Sequence, residues 1–229
     1  MKGEKIKHIV TASRQLLFHN HIDGYEYSLG GSSFLVRINN VFYILTAKHV
    51  LDKKSYSAND ALVRYNDEGR DFLPFDDQAT IRTKLIDDTD HMDIVFLRVS
   101  GNLLKKHIGI GFFIDLPLKR ELPALKCDQL LISGFPEDLC PICYDTKVLR
   151  HERRAYTGDK KQITDYQGIY QFEYQVEDGV SKNGMSGSPV FCINKKNNSY
   201  RIDGVLLREN YYLSFNVVQQ YLYDITTKT

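Results

Sequence analysis

The chain has 229 residues, enough to bury a core as one large all-β unit or as two small domains without covalent staples. Its 30 Lys and Arg residues are balanced by 29 Asp and Glu, a formal net charge of +1, which excludes a dedicated nucleic-acid surface built on clustered basic excess. The opening MKGEKIKHIV lacks the apolar core of a secretory signal, and no run approaches the ~20 apolar residues that span a bilayer, so a soluble, cytoplasmic protein with no membrane partner is expected.

In chain order, Ser33 to Ile38 and Val41 to Thr46 are β-rich runs flanking Asn39-Asn40, whose tolerance of positive φ predicts a tight hairpin. Further strands are predicted at Ala61 to Tyr65, Ala79 to Ile86, Asp93 to Val99 and Gln129 to Gly134. The series continues with Lys147 to Arg153, Gly168 to Val176, Pro189 to Ile193, Arg201 to Leu207 and Leu213 to Val217. Val217, Val218, Tyr221 and Leu222 recur at helical spacing and predict one short terminal helix. Strand signals lapse between Ser100 and Pro123, where Gly and Pro punctuate the chain, so two β units are expected, residues 1–105 and 106–229.

Three segments carry chemistry. Asn183-Gly184-Met185-Ser186-Gly187-Ser188-Pro189-Val190 sets a serine between glycines just before an apolar strand. Glycine allows backbone conformations that turn successive amides inward, so the N–H groups of Gly184 and Ser186 are candidate oxyanion donors and Ser186 a candidate nucleophile. A Gly-Ser turn entering a strand is the plain alternative. His49 follows directly on the strand Ile44 to Thr46, where it is either a structural residue or a general base. Asp93 opens the apolar run Ile94-Val95-Phe96-Leu97; a carboxylate there is costly to bury without a partner, and an imidazole N–H is a suitable one. Asp90 is the competing carboxylate.

Taken together, Thr46-Ala47-Lys48-His49-Val50, Asp93-Ile94-Val95-Phe96-Leu97 and Gly184-Met185-Ser186-Gly187-Ser188-Pro189 resemble the trypsin/chymotrypsin family of serine peptidases. Gly30-Gly31-Ser32-Ser33-Phe34 and Ile132-Ser133-Gly134-Phe135-Pro136 support the resemblance, as do the order His, Asp, Ser and its gaps of 44 and 93 residues. An α/β-hydrolase would need a histidine after its serine, and the last histidine here is His151. The resemblance implies two six-stranded antiparallel β-barrels with a short C-terminal helix. It implies a catalytic triad of His49, Asp93 and Ser186, an endopeptidase acting through an acyl-enzyme on protein or peptide substrates, and no cofactor.

By the same resemblance, substrate is bound near Val180, Ser181, Leu207, Arg208 and Glu209, with no aspartate placed to select Lys or Arg. Met185 stands where many secreted members carry the aspartate that pairs with a newly cut N-terminus. Activation by that route is therefore not expected, as in many bacterial relatives, and control falls to another ligand or a dedicated regulatory partner. An intracellular processing or regulatory protease fits these features. A catalytically silent domain that binds a peptide or partner is the alternative. Cys140-Pro141-Ile142-Cys143 could supply half of a zinc site, but Cys127 and Cys192 complete no recognised spacing, so free thiols and no metal are expected.

Overall fold

A computed structural model describes residues 9–52, 58–65, 71–80, 93–100, 113–119, 121–122, 126–146, 148–162, 168–197 and 199–227. The N-terminal half forms β1 (Ser13–His19), β2 (Tyr27–Ile38) and β3 (Val41–Thr46), then the short helix α1 (Lys48–Leu51). It continues with β4 (Ala61–Arg64), β5 (Phe72–Leu73), β6 (Phe75–Thr80), β7 (Val95–Val99) and β8 (Ile114–Leu116). The C-terminal half comprises β9 (Gln129–Gly134), β10 (Ile142–Cys143), β11 (Val148–Leu149), β12 (Arg154–Gln162) and β13 (Ile169–Tyr174). It ends with β14 (Pro189–Asn194), β15 (Ser199–Arg208), β16 (Tyr211–Ser214) and α2 (Phe215–Thr227).

The all-β expectation is met, but the pair of six-stranded barrels is not. The C-terminal strands close a six-stranded barrel in the order β12-β13-β16-β15-β14-β9. The N-terminal strands form an eight-stranded sheet along the path β5-β4-β1-β2-β3-β7-β6, with β8 added in parallel beside β2, and among the described residues that path does not close. The two ends of the path, β5 and β6, are consecutive in the chain and meet at Pro74, a residue with no N–H to donate to a ladder.

Asn39 and Asn40 have φ of 48° and 61° and join the paired residues Ile38 and Val41, which is the expected two-residue hairpin. Several boundaries differ from expectation. Leu213 to Val217 is not one strand: β16 stops at Ser214 and α2 begins at Phe215, whose ring packs toward Phe34 with centroids 6.4 Å apart. Of the Lys147 to Arg153 prediction, only Val148–Leu149 is strand (β11); residues 150–153 are not, β12 begins at Arg154 past its end, and Lys147 lies outside the described residues. β8 falls where strand signals lapse, and β1 was not foreseen. Residues 81–86 of the Ala79 to Ile86 prediction lie outside the described residues, as does Asp90.

Two apolar clusters hold the molecule together. The larger joins the N-terminal sheet (Phe34, Leu45, Phe96) to Phe191, Val205 and the α2 residues Phe215, Val218 and Leu222. The smaller fills the barrel with Leu130, Ile132, Phe172, Tyr174, Met185, Val190, Cys192 and Tyr212. Phe172 and Tyr174 thus lie on the core face of β13, with Tyr170 packed against it. Polar contacts also cross between the halves: Ser133 Oγ donates to the Val10 carbonyl at 2.8 Å, and Arg153 Nε donates to Ser13 Oγ at 3.0 Å.

Candidate active site

β3 and β7 pair antiparallel, with Thr46 opposite Val95. That register sets the residues just past the end of β3 beside those just before β7. The chain leaves β3 through Ala47 and turns into α1, so His49 and Asp93 meet. His49 Nδ1–H donates to Asp93 Oδ2 at 2.6 Å, and the His49 backbone N–H donates to Oδ1 at 2.8 Å. The Lys48 N–H donates to the Asp93 carbonyl at 3.1 Å. The Asp93 side chain is only 7% exposed, and these bonds offset the cost of taking its carboxylate out of water. With Nδ1 engaged, the second ring nitrogen is left for the cleft. The His49 side chain is about one-third exposed there.

Ser186 lies in the turn before β14. Gly184 and Gly187 have φ of 82° and 86°. A Cβ on Gly184 would lie 2.4 Å from the Phe135 carbonyl oxygen, and one on Gly187 would lie 2.0 Å from the Ser32 carbonyl oxygen, so both positions demand glycine. The loop's amides divide into two sets. Those of Met185, Gly187 and Ser188 donate to the carbonyls of Lys182, Leu206 and Met185 at 3.2, 2.8 and 3.0 Å. Those of Gly184 and Ser186 donate to no described residue. Such a pair of uncommitted N–H groups beside a hydroxyl can stabilise negative charge developing on an attacked carbonyl oxygen.

A cleft of about 350 Å³ is lined by His49 and Ser186 together with Gly184, Phe135, Gln15 and the Gly30-Gly31 pair. Its rim carries Lys182 and Arg208 as cations and Glu137 and Glu209 as anions. The Lys182 ammonium sits 4.3 Å over the Tyr174 ring and donates to the Asn210 side chain, which draws it toward the barrel wall. Among the described residues Ser186 Oγ makes no hydrogen bond.

Of the residues expected to bind substrate, Arg208 and Glu209 line the cleft. Val180, Ser181 and Leu207 do not: the Ser181 N–H donates to an Asp138 carboxylate oxygen at 2.7 Å, and Leu207 is buried in the larger core. Phe135, in a segment that carries the family resemblance, and Glu137, which was not singled out, also line the cleft. The Glu137 N–H donates to the Asn183 carbonyl at 2.8 Å, a tertiary contact that no local pattern announces. Among the described residues no cluster of three metal-ligating side chains occurs. Cys140 is buried, its Sγ accepting the Glu152 N–H at 3.4 Å, while Cys143 is exposed.

A profile of the trypsin-like peptidase domain matches residues 31–197. A search of curated proteins gave no match.

Proposed function

The chain belongs to the trypsin-like peptidase family, and from that premise we propose that it is a serine endopeptidase with Ser186 as nucleophile, His49 as general base and Asp93 as the residue that orients the imidazole. The observation that carries this reading is the His49–Asp93 hydrogen bond of 2.6 Å opening on the cleft that Ser186 also lines. His49 Nε2 takes the proton as Ser186 Oγ bonds to the scissile carbonyl carbon, and the carbonyl oxygen becomes an oxyanion facing the N–H groups of Gly184 and Ser186. The C–N bond then breaks, the amine leaving with the proton from His49. Water, deprotonated by His49, attacks the acyl ester and frees the acid and Ser186. The substrate is a protein or peptide, seated between Arg208, Glu209 and the Gly30-Gly31 side of the cleft.

Met185 is fully buried in the barrel's apolar cluster, a seat unsuited to a charged N-terminus, which supports activity without a cut chain end. The uncut 229-residue chain is expected to take up a fluorophosphonate covalently at Ser186, and Ser186→Ala is expected to take up none, both read by intact mass. A second reading, a silent domain that binds a peptide, draws support from the absence of a Ser186 hydrogen bond to His49. Absence of an adduct on the wild-type chain would favour that reading and reject the first.

A further inference from the structure

Ser32, in β2, is fully buried, lines none of the cleft and is hydrogen-bonded to three of the segments that build it. Its Oγ–H donates to the Gly184 carbonyl at 2.8 Å, and the same oxygen accepts the Phe135 N–H at 2.9 Å. Its backbone N–H donates to the Ser186 carbonyl at 2.9 Å. Its own carbonyl accepts Thr46 Oγ1–H at 2.8 Å, and Thr46 is the last residue of the strand that delivers His49. One residue of the N-terminal sheet is therefore bonded to the nucleophile loop, to the Phe135 segment and to the histidine strand.

The two carbonyls it holds belong to the peptide units that follow Gly184 and Ser186. The Gly184 C=O and the Met185 N–H share one plane, so fixing the former fixes the chain between the two uncommitted amides. Those amides stabilise an oxyanion only if both point at one spot, and the benefit falls steeply with small displacements. We propose that Ser32 is a positioning residue whose hydroxyl sets the donor loop of Gly184 and Ser186 in register with the histidine strand; this rests on the hydrolase reading above. The backbone bond from the Ser32 N–H to Ser186 is kept in Ser32→Ala and Ser32→Cys, so the side chain's share is the bonds to Gly184 and Phe135. Loss of the hydroxyl leaves a buried N–H at Phe135 and frees the loop, while Arg208 and Glu209, which seat the substrate, make no bond to Ser32.

The test compares wild type, Ser32→Ala and Ser32→Cys, the last keeping a similar volume and a weaker donor and acceptor. In folded Ser32→Ala, kcat on a peptide substrate is expected to fall roughly ten- to a hundredfold with KM unchanged, the signature of an interaction made in the transition state. Ser32→Cys should fall between. A loss of less than about fivefold in kcat, or a loss carried by KM, overturns the proposal, because a merely structural serine lowers stability and leaves the folded fraction active. If Ser32→Ala does not fold, the same criterion is applied to Ser32→Cys.

Failure of the hydrolase reading is recognised separately, as wild-type protein that does not take up the fluorophosphonate. In that case backbone relaxation by NMR decides. Lower amide order at Gly184 and Ser186 in the variant supports the positioning role, and unchanged order overturns it.

Discussion

At the scale of single residues, the site depends on which proton each group can hold. Asp93 accepts from both the ring and the backbone of His49, so its charge fixes the tautomer with hydrogen on Nδ1. Asparagine has nearly the same shape but would present an NH₂ donor to Nδ1. The hydrogen would then sit on Nε2, which could no longer take the serine proton. Asp93→Asn is expected to keep the fold and lower kcat by about 10⁴-fold, measured on any peptide that the wild type cleaves. That His49 meets Asp93 and shares a cleft with Ser186 was legible from their segments, because each pairs a reactive side chain with a local pattern: a strand end, an apolar run, glycines around a serine. Ser32 and Phe135 sit in segments that resemble the family, but neither they nor Glu137 pairs a reactive side chain with such a pattern. Their roles are hydrogen bonds to residues more than 40 positions away, and a buried serine in a strand looks the same on paper whether it holds a loop or fills a gap.

At the scale of elements, legibility followed short, continuous apolar runs. β9, β3 and β14 are short apolar runs and were placed nearly to the residue. β1 has the sequence SRQLLFH and buries nearly its whole length, polar residues included, because it lies between β2 and β4 and packs against the barrel side through Ser13 and Ser133. β12 has the sequence RAYTGDKKQ and is held by its neighbours β9 and β13 rather than by its own pattern. Gly158 in it cannot carry a side chain, since a Cβ would meet the Glu173 carbonyl oxygen at 1.9 Å. The Asn39-Asn40 turn, by contrast, is specified locally and is exposed, so substitutions there change backbone energetics alone. Asn40→Gly is expected to raise stability by about 0.5 kcal/mol, and Asn40→Ala to lower it by about 1 kcal/mol, since alanine lacks the side-chain amide that eases left-handed backbone. Urea unfolding with an unchanged m-value would measure both.

At the scale of the whole molecule, the closed barrel is braced across its interior by charge. Asp203 on β15 is 6% exposed and accepts hydrogen bonds from Tyr212 Oη at 2.7 Å, Lys160 Nζ at 2.9 Å and Arg201 at 3.0 Å. β12, which carries Lys160, is not a neighbour of β15 in the barrel order, so this ion pair ties strands that no ladder joins. Burial by itself would raise the Asp203 carboxyl; the Lys160 charge and the bonds from Tyr212, Lys160 and Arg201 outweigh it and hold the group below its ordinary range. A carboxyl whose folded pKa is depressed stabilises the fold fully above its unfolded value, near 4, and loses that stabilisation as pH falls through the lower folded value. Wild-type stability should therefore decline from about pH 4 downward, with a share of the slope owed to this one group. In Asp203→Asn that share disappears. The variant is less stable at pH 7, by on the order of 2 kcal/mol, because Lys160 and Arg201 lose their counter-charge inside the barrel. The gap between the two proteins then narrows as the solution is acidified. Denaturant midpoints at pH 7, 4 and 3 measure this convergence, and parallel curves would show that Asp203 contributes no proton-linked stability.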